Sequence, residues 1–199
     1  MVENGSTGTL FVGVGGQGII LASEVLAMLC LEAGYDIKQS EVHGMAQRGG
    51  SVISHVRFGR SVRSPMIELG RADYLVSFEM LEALRWVAYL KPDGVALVNT
   101  LKIAPMTVTS GAMTYPAEIE GMIREKCKRT VFVDGLAIAE EAGNTRAVNV
   151  AMLGALSIYL PFAQDVWETC VCNRVPERFL DVNLAAFRAG RQVSEGTGV

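Results

Sequence analysis

A cluster of glycines near the start of the chain is the first feature that suggests chemistry. It follows a short apolar strand at 10–12 and precedes an apolar stretch with helical spacing, Ile19 to Cys30. Glycine permits a tight turn and close approach of a ligand, and the first turn of a helix offers unpaired N–H groups at the positive end of its dipole. This layout predicts an anion contact, with the helix beginning at about residue 17. The candidate contact residues are Gly13, Gly15, Gly16, Gln17 and Gly18.

These glycines satisfy the spacing G-x-G-x-x-G, which occurs in dinucleotide-binding proteins. Such proteins also place an acidic residue at the end of the second strand, about 20 residues further on. Here the predicted second strand is Asp36 to Ser40, and the acid that follows it, Glu41, comes late. A glutamine at position 17 is also unusual for such a site. The pattern disfavours nicotinamide or flavin binding and leaves two alternatives: a phosphate-sized contact, or glycines that serve packing alone.

A second glycine-rich loop, predicted from Glu41 to Gly50, carries long polar side chains between small residues. Arginine forms forked, charge-assisted contacts with carboxylates and phosphates, and adjacent glycines let another chain or ligand come close. If both loops lie at the carboxyl ends of neighbouring strands, they share the crevice where open α/β sheets bind ligands. The alternative is that Arg48 pairs with Glu41 or caps a local carbonyl. The candidate residues for a partner or ligand contact are Gln47, Arg48 and Gly49.

The composition is that of a protein with a large buried core. Of its 199 residues, 50% are hydrophobic and 20% are charged, and the formal net charge is −3. A negative balance gives no electrostatic basis for binding nucleic acid. We find no signal-peptide pattern, and the longest apolar run, 147–163, is interrupted by polar residues, which predicts a buried helix and no membrane span. We therefore expect a cytoplasmic protein with one domain over residues 1–192 and a frayed tail over 193–199.

The ionisable residues give no pattern for a metal site or for catalysis. The four cysteines, at positions 30, 127, 170 and 172, are spaced neither for zinc nor for an iron–sulfur cluster. Glu79 and Glu82 lie one turn apart at the start of a predicted helix, where acidic residues favour the dipole and Arg85 can pair with Glu82. We therefore assign no catalytic residue and no metal ligand.

Strands and helices alternate along the chain. The predicted strands are 10–12, 36–40, 51–58, 73–78, 95–99, 106–109 and 130–134. The predicted helices are 19–30, 79–90, 116–126, 136–142, 146–159, 163–169 and 177–191. This alternation after an opening glycine turn predicts an α/β protein: a Rossmann-like open sheet, mostly parallel, with helices on both faces and a helical C-terminal part.

Several motifs together resemble the γ-type subunit or domain of 2-oxoacid:ferredoxin oxidoreductases. The glycine turn at 13–18 has low specificity alone, but here it precedes the segment VHGMAQRGGSV, Val42 to Val52, at the separation typical of that family. The branch that acts on indolepyruvate is the nearest, and the pyruvate and 2-oxoglutarate branches are the alternatives. Further likeness comes from 64–65, 70–73, 78–85, Asn99 and 115–116.

The resemblance implies a non-thiamine subunit of an enzyme that decarboxylates an aryl pyruvate, releases an acyl-CoA and passes the electrons to ferredoxin. In the family, thiamine diphosphate, its Mg²⁺ and the iron–sulfur clusters belong to other subunits or domains. This chain is then expected to bind none of them, to be inactive alone, and to reach ferredoxin through a large partner subunit, with CoA as co-substrate. The Asp-Gly pairs at 93–94 and 134–135 lack the preceding glycine of the family's thiamine turn. A stand-alone nucleotide-binding oxidoreductase remains the alternative from another class.

Overall fold

The computed structural model of the protein describes residues 5–44 and 50–197. Within them, one sheet of six strands is covered by helices on both faces. The strands are β1 Ser6–Val14, β2 Asp36–His43, β3 Ser51–Gly59, β4 Ala72–Ser77, β5 Leu90–Asn99 and β6 Thr130–Val133. The helices are α1 Ile19–Glu32, α2 Met80–Trp86, α3 Met106–Thr109, α4 Ile119–Lys126, α5 Gly135–Glu141, α6 Val148–Ser157, α7 Gln164–Arg174 and α8 Leu180–Thr197.

The sheet has the strand order β2-β3-β1-β4-β5-β6. Strands β1, β4, β5 and β6 run parallel, whereas β3 is antiparallel to both of its neighbours, β1 and β2. From β1 the chain first adds strands on one side and then continues with β4 on the other, so the β1/β4 junction is a topological switch point. The four parallel strands end on the same side of the sheet, which we call the carboxyl edge. The predicted class of fold, a mostly parallel α/β sheet, is confirmed.

The sheet separates two apolar cores, because alternate side chains of a strand point to opposite faces. In β1, Leu10 and Val12 pack on one face with residues of α2 and α4, and Phe11 packs on the other with residues of α1, α6, α7 and α8. All three side chains are fully buried. Strands that are covered on both faces read as continuous apolar runs, which is why this strand was visible in the sequence.

Helices α6 and α8 cross at two glycines. A Cβ atom on Gly154 would lie 1.9 Å from the backbone oxygen of Phe187, and one on Gly190 would lie 2.0 Å from that of Ala151. No other residue fits at such a crossing, so the glycines set how closely the two helices approach. Within the part of the chain that the structure describes, no helix is both long and apolar enough to traverse a membrane.

The structure corrects several sequence-based expectations. Residues 106–109 form the helical turn α3 instead of a strand: the β-favouring Thr-Val-Thr run has no described strand beside it to pair with. Residues 41–43 belong to β2 and not to a loop, because they continue its ladder with β3. Helix α1 begins at Ile19, where the predicted apolar helix 19–30 begins, and two residues after the start at residue 17 that the anion contact predicted. The tail expected to fray from Val193 is helical through Thr197, and Ser194 within it is buried (3% exposed).

Candidate functional site

The glycine turn lies at the carboxyl edge, next to the switch point between β1 and β4. Strand β1 ends at Val14, and Gly18 stands directly before α1 in the left-handed conformation, with φ of 78°. Gly16 is left-handed too, with φ of 96°. Glycine adopts this conformation without the steric cost that other residues meet. The two left-handed glycines therefore separate the end of β1 from the start of α1 at Ile19.

Two of the candidate glycines are required by packing. A Cβ atom on Gly13 would lie 2.5 Å from Oε1 of Gln17 and 2.9 Å from Cβ of Phe78. A Cβ atom on Gly18 would lie 2.4 Å from Nδ2 of Asn149. Any larger residue at either position would displace a neighbour, so these glycines are explained without a ligand.

The other two glycines of the turn, Gly15 and Gly16, leave room for a side chain. A Cβ atom on Gly15 would meet no atom closer than the backbone oxygen of Gly50, at 3.8 Å, and one on Gly16 would meet nothing within 4 Å. The Gly15 N–H donates to that same Gly50 oxygen at 3.0 Å. Gly15 thus contacts Gly50, the residue directly before β3, and both Gly15 and Gly16 are exposed to solvent.

The turn still offers backbone donors to an anion, although fewer than predicted. The Gln17 N–H is used within the turn, donating to the Val14 oxygen at 3.3 Å. Among the described residues, the N–H groups of Gly16 and Gly18 have no backbone acceptor, and the first turn of α1 adds N–H groups that lack a helical partner. The anion contact that the sequence predicts over 15–18 is therefore available at Gly16, Gly18 and the start of α1.

The Gln17 side chain points back into the protein and links neighbouring strands. Its Oε1 accepts from the Val14 N–H at 2.6 Å, and its Nε2 donates to the Phe78 oxygen at 3.0 Å. The same oxygen accepts from Nδ2 of buried Asn99 at 3.0 Å, and Oδ1 of Asn99 accepts from the Gly135 N–H at 3.1 Å. This amide bridge connects the carboxyl ends of β1, β4 and β5 to the start of α5.

An open groove of about 770 Å³ begins at this turn. Its floor includes Gly16 and Gly18, and its walls come from residues far along the chain, chiefly the start of α6 and the segment before α8. The apolar lining residues are Leu21, Leu101, Leu136, Val148, Val150, Val175 and Phe179, and the polar ones include Asn144, Arg146, Asn149, Arg178 and Asn183. The groove is therefore suited to a ligand with both an anionic and an apolar part.

Two exposed arginines give the groove its positive charge. Within the described residues, neither Arg146 nor Arg178 has a carboxylate partner, and Arg178 lies over the ring of Phe179, 4.8 Å from its centroid. Asn144 accepts from the Arg146 N–H at 3.0 Å and so shapes the turn before α6. Sequence reasoning missed both arginines. The available sequence signal for Arg146 was the Asn-Thr-Arg segment, because an asparagine before an apolar helix is typical of a helix start.

The topology also explains why the dinucleotide pattern is incomplete. Strand β3 lies between β1 and β2, so the end of β2 is two strand spacings, about 10 Å, from the strand that carries the turn. Glu41 lies within β2 and accepts from Nε2 of Gln39 at 3.1 Å. An acidic residue at the end of this second strand is therefore not beside the glycine turn, where a ribose contact would require it.

The second predicted contact, Gln47, Arg48 and Gly49, lies outside the described residues. The residues that flank this segment are described. The Gly44 N–H donates to the Ser51 oxygen at 2.8 Å, and Gly50 accepts from Gly15 at 3.0 Å. Both ends of the segment thus lie at the carboxyl edge, as expected for a loop that shares the crevice with the glycine turn.

Glu79 is a buried carboxylate, 1% exposed, that joins three parts of the chain. It caps α2 by accepting from the Glu82 N–H at 2.9 Å. Its other oxygen accepts from the Ile103 N–H at 3.0 Å and from the Tyr115 hydroxyl at 2.7 Å. Burial, followed by the hydrogen bond to Glu79, raises the pKa of Tyr115 well above its ordinary value, so the hydroxyl stays protonated as a donor. These contacts explain Glu79 structurally.

Glu82 has a comparable structural role. It is 3% exposed, accepts from the Ser51 hydroxyl at 2.6 Å and pairs with Arg85 at 2.6 Å. The predicted Glu82–Arg85 pair is thus present. Ser51 begins β3, so this contact ties α2 to the strand that follows the second loop.

Sulfur and carboxylate groups do not gather into a metal site in the described chain. Its residues include no group of three or more histidine, cysteine, aspartate or glutamate side chains placed to hold a metal ion. The four cysteine thiols are free. Burial, aided by hydrogen-bonded Glu32, raises the pKa of Cys170 to about 12, so this thiol is protonated at neutral pH. The described thiols and carboxylates therefore do not form the ligand set of an iron–sulfur cluster.

The fold and the site agree with comparisons to known proteins. The sequence profile described as pyruvate ferredoxin/flavodoxin oxidoreductase matches residues 9–193, and the chain belongs to this family. A relative from Thermococcus kodakarensis, indolepyruvate oxidoreductase subunit IorB, is 40% identical over 186 residues, which cover 91% of this chain and 92% of the relative.

Solved structures support the same placement. The γ subunit of a keto/oxoacid ferredoxin oxidoreductase from Geobacter sulfurreducens superposes with a TM-score of 0.71 at 25% identity, covering 96% of this chain and 99% of that one. A 2-oxoglutarate:ferredoxin oxidoreductase from Magnetococcus marinus, solved with 2-oxoglutarate, coenzyme A and succinyl-CoA, shares the fold, with a TM-score of 0.75 at 20% identity. It covers 98% of this chain and 32% of that chain. The recognised family and the oxidoreductase-subunit assignment are confirmed.

Proposed function

We propose that this chain is the small, non-thiamine subunit of an indolepyruvate:ferredoxin oxidoreductase. The observation that carries the proposal is 40% identity to an IorB subunit over nearly the full length of both chains. The complex decarboxylates the aryl pyruvate, forms an acyl-CoA and transfers the electrons to ferredoxin. A pyruvate or 2-oxoglutarate enzyme is the second candidate, supported by similarity to a pyruvate oxidoreductase subunit and to a 2-oxoglutarate synthase subunit.

Thiamine diphosphate, Mg²⁺ and the iron–sulfur clusters are assigned to a large partner subunit. The described residues include no group of three or more histidine, cysteine, aspartate or glutamate side chains placed to hold a metal ion, which supports this assignment. Ferredoxin is reached through that subunit. The free thiols agree with a reducing compartment, and we place the complex in the cytoplasm.

The groove at the glycine turn is proposed as the place where this subunit contacts CoA. CoA combines phosphates with an extended, partly apolar arm. The groove combines apolar walls with N–H groups and two arginines that have no carboxylate partner among residues 5–44 and 50–197. Gly16 and Gly18 would approach a phosphate with their backbone, and Arg146 and Arg178 would add charge. Gly13 and Gln17 would support the turn from behind. In this proposal Gln47, Arg48 and Gly49 contact the same ligand or the partner subunit from the neighbouring loop.

Reconstitution tests the assignment of function. The chain and the large subunit of the same host are purified separately and mixed, and reduction of ferredoxin is followed with indolepyruvate, pyruvate or 2-oxoglutarate plus CoA. We expect the lone chain to be colourless, free of thiamine and inactive, and the mixture to have its highest kcat/KM with indolepyruvate. A lone chain that turns over, or a large subunit that works equally well without it, contradicts the proposal.

Substitution of the groove arginines tests the CoA site separately. Arg146→Gln with Arg178→Gln removes two charge-assisted contacts, each worth about 1.5–3 kcal/mol. We expect KM for CoA to rise at least tenfold while kcat and the thermal stability stay near wild type. Arg60→Gln, which removes an exposed arginine at the opposite edge of the sheet, is the matched control. An unchanged KM in the double variant would place CoA elsewhere.

A further inference from the structure

A loop beside the groove presents an exposed surface without charge. Residues 103–115, here named the methionine loop, contain no charged side chain, whereas 20% of the whole chain is charged. Met106 is 83% exposed and Met113 is 63% exposed. Depletion of charge together with methionine is typical of the buried centre of a protein–protein interface. Solvent-facing loops in soluble proteins ordinarily contain more charged residues, so this composition indicates that another protein surface covers the loop.

Hydrogen bonds at both ends and across its middle close the methionine loop. Both of its ends, the Ile103 N–H and the Tyr115 hydroxyl, donate to the same oxygen of buried Glu79, at 3.0 and 2.7 Å. Within the loop, the Met113 N–H donates to the Thr107 oxygen at 2.8 Å, across the turn formed by α3. A compact loop whose ends meet loses little conformational freedom on binding, and this favours association.

The position of the loop indicates what covers it. Leu101, two residues before the loop, lines the groove, and its oxygen accepts from the Met80 N–H at 3.0 Å. A protein that covers the loop therefore stands at the mouth of the groove. The proposed function assigns CoA to the groove and the chemistry to the large subunit, so the large subunit has to reach this edge for the two to meet.

We propose that the methionine loop is a docking surface for the large subunit, which meets it with an apolar, charge-poor surface of its own. The proposal rests on the proposed function, because it requires that partner. Met106 and Met113 supply the apolar contact, and Glu79 is the positioning residue that closes the loop.

A binding experiment with matched exposed positions tests the docking surface. Met106→Glu with Met113→Glu introduces two charges into the proposed contact. Leu69→Glu introduces a charge at a residue that is 67% exposed but lies before β4, at the opposite edge of the sheet, near charged Glu68 and Arg71. We expect the methionine variant to bind the large subunit about 100-fold more weakly and Leu69→Glu to bind like wild type. Because the changed side chains are exposed, circular dichroism melting curves should coincide.

A serine variant of the two methionines and the oligomeric state of the chain alone distinguish the remaining outcomes of this experiment. Met106→Ser with Met113→Ser, which adds no charge, should weaken binding about tenfold. Equal binding by wild type and both methionine variants overturns the docking surface and leaves the proposed function intact. A wild-type chain that does not bind the large subunit overturns the proposed function itself. A wild-type chain that is dimeric alone, and monomeric only in the methionine variants, assigns the loop to a second copy and also overturns the proposal.

Discussion

The amide bridge at the carboxyl edge makes a quantitative prediction, because two side chains donate to one backbone oxygen. Phe78 accepts from Gln17 and from Asn99, each at 3.0 Å. Gln17→Met and Asn99→Leu keep the approximate shape and each remove one donor. Each also strips a partner from another N–H group, that of Val14 or Gly135. Leaving such a group unsatisfied costs about 1–3 kcal/mol, so each single variant should be destabilised by that amount.

The double variant should lose more than the sum of the two single losses. After either single change Phe78 keeps one donor, and only the double change leaves its buried oxygen without any. We therefore expect a coupling free energy of about 1 kcal/mol, within the range found for residues in one network. At about 2–4 °C per kcal/mol for a chain of this size, the double variant should melt about 2–4 °C below the additive expectation.

Urea unfolding of the four chains measures this double-mutant cycle. The control cycle combines Asn99→Leu with Gly196→Ala, a helical position at which a Cβ atom would meet nothing within 4 Å. The control should be additive within about 0.5 kcal/mol. If the cycle of Gln17 and Asn99 is equally additive, the shared acceptor does not link the strands in the way described.

Three further predictions concern packing, pH and the turn. Gly154→Ala should destabilise the chain by about 3 kcal/mol or more in urea unfolding, because its Cβ atom would overlap backbone, whereas Gly196→Ala should be neutral or slightly stabilising. The hydrogen bond from Arg188 lowers the pKa of Glu168 to about 2, so the ion pair stabilises the fold above the ordinary carboxyl pKa of 4.5. The melting temperature of wild type should therefore exceed that of Glu168→Gln by the largest amount at pH 6. This difference should disappear as the pH falls from about 4.5 to 2. Gly15→Val should leave melting unchanged and lower turnover of the assembled enzyme; full turnover removes Gly15 from the site.

The class of fold and the place of the glycine turn were accessible from sequence, because both depend on local patterns. Leu10 to Val12 is apolar without interruption and is covered on both faces, and the glycines mark where strand changes to helix. The different purposes of the glycines were not accessible. Gly13 is crowded by Phe78, 65 residues later, and Gly18 by Asn149, 131 residues later. Only the folded sheet brings these pairs together.

The groove was missed for the same reason. Its arginines, Arg146 and Arg178, stand in turns before α6 and α8, in the part of the chain that sequence reasoning described only as helical. The Asn-Thr-Arg segment marks a helix start near Arg146, but nothing local indicates that this turn and the one with Arg178 line a groove at the N-terminus of α1. The error at 106–109 differs in kind: the β-branched residues there favour a strand, but a strand requires a neighbour, and local propensity does not report whether one exists.

The contribution of the last helices to the groove has a consequence for synthesis on the ribosome. The glycine turn and the first strands emerge early, whereas residues 175–183 of the groove wall emerge later, and α8 then packs on α6 at Gly154 and Gly190. A nascent chain that stops before residue 175 carries the whole turn but lacks this wall of the groove. A ligand of the proposed groove therefore depends on residues 16–18 and residues 175–183 being present together.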